Sequence, residues 1–394
     1  MQLDRQTYYL TEDENAGKAW LWVGIIGILL SAVGFLLNHE RSLQSYLVAF
    51  IFWMSLGLGA LFFTMLHHLS GAVWSVVVRR ISETMMANLP FMAIFFLPLF
   101  FGLDELFAWA HHDSGAAHDL MAKKSPNLNI PFFIIRAAAY FLIWSVLVYF
   151  LYRTSTRQDE GHTAQHDRRF RKVSALGMVL FAFTCTFAAI DWLMSLDPQW
   201  YSTIVGVYFF AGSVSAFLPL LILISLYLRR QNIRADEITL EHYHDLAKLT
   251  FAFNILWSYM AFSQYFIIWY GNIPEETAWY RHRWGGPWSP VSLFLPFAHF
   301  VVPFFVLMSR AAKRNIKVLV FISLWLLLAH WIDMSWLILP NFAHHGAIYS
   351  WTDLTCTLGL GGFFLFLFWR RLAAHPVVPV DDPRLQESTE FVNS

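Results

Sequence analysis

SALGMVLFAFTCTFAAIDWLMSLDPQW occupies residues 174–200 and continues as YSTIVGVYFFAGSVSAFLPLLILISLYLRR to residue 230. Each half holds an apolar run of about 20 residues, the length at which a helix crosses the hydrocarbon of a bilayer. Asp197-Pro198 breaks the first run, and Trp200 and Tyr201 follow at the depth where aromatic rings meet lipid headgroups. The stretch therefore reads as two membrane helices joined by a very short turn. Asp191 lies inside the first helix, about one turn before its end. A carboxylate costs roughly 2–3 kcal/mol near the bilayer centre on insertion scales, and less toward the rim. It faces protein or water rather than lipid. On this residue alone two kinds of role stay open: snorkelling to the nearby surface or pairing with a neighbouring Arg on one side, and carrying a proton or contacting a quinone on the other.

Composition extends this reading to the whole chain. Of its 394 residues 57% are hydrophobic and only 14% charged, which excludes an ordinary soluble domain. Aromatic residues reach 18%, with 18 Trp, as interfacial belts require. The formal net charge is zero, so nothing favours nucleic acid as a partner. Cys185 and Cys356 both fall in apolar runs, which excludes a disulfide framework, a thiolate metal site and an Fe–S cluster. There is no phosphate-cradling Gly loop and no nucleophile elbow. The opening MQLDRQTYYLTEDENAGK is polar and acidic, unlike a signal peptide, so the first helix is expected to direct insertion.

Hydropathy gives an all-α integral membrane protein with ten spans: 18–37, 43–66, 84–103, 131–152, 174–195, 203–228, 249–270, 290–309, 316–339 and 351–369. Residues 1–17 and 371–394 are expected to be polar tails around one membrane domain, 18–370. LSGAVWSVVVRR (69–80) either extends the second helix or lies in the interface. His67 and His68 are expected among the headgroups. Of the 27 Lys and Arg residues, 21 fall on the side of the two tails, five on the other side and one, Arg136, within a span. The positive-inside rule then puts both termini in the cytoplasm of a bacterial inner (plasma) membrane protein. The opposite face carries Asp104, Glu105, Asp113, Asp119, Glu275, Glu276 and Asp353. Trp109, Trp200, Trp279, Trp284, Trp288 and Trp351 lie there too. This is either a surface that receives a partner protein or an aromatic belt with solvated loops.

Polar residues inside the spans are the candidate site. Arg136, in the fourth span, matches Asp191 in depth, so an ion pair between them is geometrically feasible. Thr184 lies seven residues before Asp191 and shares its helix face. LLLAHWIDMSW (326–336) places His330 and Asp333 three apart on one face. An imidazole beside a carboxylate is a sensible proton-handling pair, because His titrates near neutral pH; the alternative is a hydrogen-bonded pair that joins helices. His299 lies in VSLFLPFAHFVVPFFVLMSR (291–310) at the depth of His330. It is either a core histidine or half of a bis-imidazole haem site. In the seventh span, Asn254 and Ser258, and Tyr259 and Ser263, are spaced four apart. With Thr184 they could line a hydrogen-bonded path, or simply pack helices together.

DWLMSLDPQWYSTIVGVYFFAG (191–212) resembles the corresponding stretch of the ActF membrane subunits of alternative complex III. So does the block from PEETAWYRHR (274–283) through HFVVPFFVLMSRAAKRN (299–315) to HWIDMSWLILP (330–340). The likeness extends over all ten spans and is specific in 191–212 and 299–340. The wider family is the NrfD-like, polysulfide-reductase-type quinol subunits. The resemblance implies two four-helix bundles related by an internal repeat, with one flanking helix at each end. It also implies a place in a bacterial quinol:cytochrome c oxidoreductase. The implied partners are a larger paralogous NrfD-like membrane subunit, an Fe–S protein, multihaem cytochrome c subunits and membrane lipids. Quinone or quinol is the ligand that the family name suggests. The resemblance further implies proton conduction through membrane Asp and His of the kind seen at Asp191, His330 and Asp333. No covalent or metal-ligated cofactor is expected, and structural lipids are. Such a chain is either non-catalytic or a quinone-site subunit. Two other readings stand beside it: an independent ion or small-solute transporter, and a scaffold without chemistry.

Overall fold

The computed structural model describes residues 8–10, 16–110, 124–231, 237–342 and 348–393. Among these the chain is helical, and ten helices are long and apolar enough to cross a membrane. In order they are α1 (Gly17–Leu37), α2 (His39–Ser70), α3 (Val76–Phe100), α4 (Ile130–Gln158), α5 (Ala164–Leu196), α6 (Val205–Arg230), α7 (Leu240–Gly271), α8 (Gly286–Met308), α9 (Ile316–Asn341) and α10 (Trp351–Ala373). The chain is thus a multi-pass membrane protein. Tyr8 accepts a hydrogen bond through its carbonyl from the backbone N–H of Val377, so the two tails meet at one end of the bundle.

Packing follows a closed pattern. α2, α3, α4 and α5 neighbour one another around a ring, and α6, α7, α8 and α9 form a second ring. α2 and α6 are the most buried spans and join the two rings. α1 lies outside both rings, largely exposed, against α10. Glycine permits that contact. A Cβ on Gly27 would stand 2.4 Å from the backbone N of Gly359, and one on Gly362 would stand 2.2 Å from the N of Gly24. Two small residues on each helix thus let the backbones touch, as membrane helices need where apolar burial gives no drive. Ser31 Oγ, 3.3 Å from Thr355 Oγ1, adds a bond across the same seam.

The two rings end alike. α5 closes on a 3-10 turn at Met194–Leu196 and α9 on one at Leu339–Asn341. Each turn follows an Ile-Asp pair, Ile190-Asp191 and Ile332-Asp333, set seven residues before a proline, Pro198 and Pro340. This short repeat is visible in the letters once the rings are known.

The third span differs from its expected start at 84. It begins at Val76, after a turn, and buries Arg79, Arg80 and Glu83 completely. These charges neutralise one another, which hydropathy cannot foresee. Arg79 Nε lies 3.1 Å from Glu83 Oε1, and Arg80 Nη2 lies 2.7 Å from Asp159 Oδ2. His68, expected in the headgroups, is also buried; it stacks on Phe170 and lies 3.5 Å from Glu83. His67 is buried too, with Nδ1 bonded to the Phe63 carbonyl.

The C-terminal tail docks rather than trailing free. Val377, Val378 and Leu385 are buried, and Arg79 Nη1 donates to Asp382 Oδ2 at 2.6 Å. On the opposite end, Trp109, Trp200, Trp279 and Trp288 are core residues, so the exposed aromatic belt there is smaller than expected; Trp284 and Trp351 remain exposed. Asp113 and Asp119 lie outside the described residues.

Gly27→Leu should cost about 1–3 kcal/mol, because a side chain there must push the α1 and α10 backbones apart. Gly271→Ala should change little, since nothing lies within 4 Å of a Cβ at that position. Thermal unfolding in detergent compares these variants. Burial opposes ionisation of Asp382, but Arg79 and Arg384 outweigh it and hold the carboxyl below its ordinary range. The stability from this contact is full above the unfolded carboxyl pKa of about 4 and is lost as pH falls through the lower folded value. Limited proteolysis should therefore release the tail in Asp382→Asn at neutral pH, and in wild type only in strong acid.

Candidate functional site

Of the candidate residues, Arg136, Asp191 and Thr184 lie in the first ring, and His299, His330 and Asp333 lie together in the second. In the first ring Arg136 reaches across from α4 to α5 and grips Asp191 with two parallel bonds, Nε to Oδ2 and Nη2 to Oδ1, each 2.8 Å. Tyr140, one turn along, donates its hydroxyl to Asp191 Oδ2 at 2.7 Å. A bidentate guanidinium with a third donor satisfies both carboxylate oxygens. Arg136 also donates to the Asn127 carbonyl and lies 4.3 Å from the Phe132 ring centroid. Thr184 sits deeper, accepting from Trp144 Nε1 at 2.9 Å while its own proton goes to the α5 backbone. It packs α4 against α5 and does not touch Asp191.

The second place lies among α2, α6, α7, α8 and α9. Asp333 and His330 share a face of α9, as their spacing requires, yet each finds its own partners. Asp333 Oδ1 accepts from the Tyr208 hydroxyl of α6, and Oδ2 accepts from Trp257 Nε1 of α7 at 3.1 Å. His330 Nε2 lies 2.8 Å from Ser55 Oγ of α2. Ser55 spends its single proton on the Phe52 carbonyl, 2.7 Å away. His330 Nε2 must then be the donor, which leaves Nδ1 bearing the lone pair. That nitrogen is buried and has no hydrogen-bond partner. Gly212 of α6 makes room for the ring: a Cβ there would stand 3.2 Å from His330 Cε1.

His299 joins this group through a distortion that spacing alone does not reveal. α8 passes through a π-helical turn at Pro296–Val301, preceded by an α-helical segment and followed by Pro303. π-turns recur at functional sites, and this one carries His299 inward. Its ring stacks on Trp257, centroids 3.7 Å apart, and lies 6.4 Å from the ring of His330. Asn254 of α7 donates to the His299 carbonyl, and His299 Nε2 is buried without a partner. One donor atom from each of His299, His330 and Asp333 lies within 4.8 Å of the others. Trp257 stacks on the His299 ring, and the Phe52 ring lies tilted beside His330, centroids 5.7 Å apart.

A cavity of about 580 Å³ adjoins this group. It runs between α6, α7, α8, α9 and a short helix, Pro274–Trp284, and its walls include Tyr208, Trp257, Gln264, Trp279, Leu295 and Trp336. Arg283 of that helix is buried and braces the end of α9, donating to the Trp336 and Leu337 carbonyls and stacking on Trp279. Tyr259 lines the cavity but is largely exposed, and Ser263 is half-buried; neither bonds to His299, His330 or Asp333. Tyr208, Trp257, Ser55 and Tyr140 are the residues that sequence reasoning missed. Tyr208 stood inside the 191–212 block, but nothing in its spacing tied it to Asp333.

Removing one partner of a buried ion pair strands the other charge, at a cost of about 3–5 kcal/mol. Arg136→Ala should destabilise the chain by that order, whereas Arg136→Met combined with Asp191→Leu should recover most of it. Thermal unfolding of the purified variants measures both.

No family model matches the chain, and no curated protein matches it significantly.

Proposed function

We propose that this chain is an ActF-type, NrfD-like membrane subunit of a bacterial quinol:cytochrome c oxidoreductase, or of one with another periplasmic acceptor. In that reading both termini face the cytoplasm. The electron-carrying centres belong to its partners: an Fe–S protein, multihaem cytochrome c subunits and a larger NrfD-like membrane subunit. The observation that carries this reading is the aromatic cavity in the second ring. Two of its wall residues, Tyr208 and Trp257, are the donors to Asp333. A flat, mostly apolar headgroup fits between the Trp and Tyr rings, and a carboxylate lies one hydrogen bond behind them. Binding of an apolar ligand and handling of its protons then lie side by side. Two closed rings of four helices with α1 and α10 outside them support the family reading.

A transporter would favour helices broken at matching points in its two halves. Here the breaks do not match. α8, the third helix of its ring, carries the π-turn, while α4, the third helix of the other ring, runs as one unbroken helix.

Gentle solubilisation should bring down the chain with haem- and Fe–S-bearing partners and with bound quinone. In the purified complex Asp333→Asn should preserve assembly and lower quinol turnover and proton movement in sealed vesicles. Normal turnover and coupling in both Asp333→Asn and Asp191→Asn, with normal assembly, would leave the chain a scaffold. Isolation of the chain alone, without redox partners, would favour the transporter.

A further inference from the structure

We propose that His299, His330 and Asp333 bind a redox-silent divalent transition ion of the Zn²⁺ type. In the sequence His299 is tied to His330 only by equal depth on neighbouring helices, and nothing there brings Asp333 to the same point. The π-turn in α8 supplies that tie. Two imidazoles and a carboxylate are a common ligand set for such ions, with a fourth position left open. All three residues are buried, and their donor atoms lie within 4.8 Å of one another. Three donors on one tetrahedral ion stand about 3–3.5 Å apart, given bonds of about 2.0–2.2 Å. The group must therefore close by roughly an ångström, and the π-turn is the element that can give.

Two further observations point to a ligand. Each imidazole keeps one buried nitrogen without a hydrogen-bond partner, Nε2 of His299 and Nδ1 of His330. A buried nitrogen left bare has given up water for nothing, and a metal bond removes that penalty. The outer contacts are also those of a metal ligand. Ser55 fixes His330 so that Nδ1 presents its lone pair, and Tyr208 and Trp257 hold the carboxylate in place. Two neutral imidazoles and one carboxylate leave the ion with a net charge of +1, so the open position takes hydroxide or another anionic ligand. This inference does not rest on the quinol reading.

The test uses the full chain in mild detergent, stripped with chelator and reloaded with Co²⁺ as the spectroscopic stand-in for Zn²⁺. About one Co²⁺ per chain should bind, show the visible bands of a four-coordinate site and be displaced by Zn²⁺. His330→Ala and His299→Ala should abolish the bands, with helical content and gel-filtration behaviour as the check on folding. Ser55→Ala removes only a small outer contact and should weaken binding about 10–100-fold. No stoichiometric Co²⁺ in the wild-type chain would overturn the proposal. So would equal uptake by wild type and the His variants, or, if those variants misfold, unchanged affinity in Ser55→Ala.

Discussion

A charge without a partner in hydrocarbon costs several kcal/mol, so each ion inside this domain dictates where its neighbours stand. Glu83 sits between Arg79 and Arg80, and that cluster lets α3 start a full two turns inside what hydropathy treats as loop. Arg136 and Asp191 set the relative height of α4 and α5. Asp333 takes Tyr208 and Trp257 and so draws α6 and α7 onto α9. The two rings of helices are the geometry in which all these groups are satisfied together.

The two Ile-Asp pairs occupy matching places and have different surroundings. Asp191 is closed off by a guanidinium and a phenol, an arrangement that neutralises it and fixes it. Asp333 has only uncharged donors, with two bare imidazole nitrogens nearby and a cavity beyond them. Similar helix ends thus carry one carboxylate closed off by charge and one held by neutral donors beside a cavity.

Much of the fold was legible because crossing a membrane needs length and apolarity, both of which are written locally. All ten spans lie where hydropathy places them, and the errors fall at helix ends that carry charge, as at Val76 and Leu240. The Arg136–Asp191 contact was legible from depth on adjacent helices. The surroundings of Asp333 were not, because Tyr208, Trp257 and Ser55 come from three different helices whose rotation no spacing rule fixes. His299 was harder still: its inward turn comes from a π-turn, and a single extra residue in a helical turn leaves no periodic mark in a uniformly apolar segment. The burial of His68 escaped for the reason that hid Glu83, since polar letters read as solvent until their partners are known.

The glycine contact between α1 and α10 bears on how the protein is made. α1 reaches the membrane before α10, so the face around Gly24 and Gly27 meets lipid until α10 has been inserted. The contact that covers this stripe therefore forms only after the spans between the two helices are in place, and it ties together segments that lie far apart in the sequence.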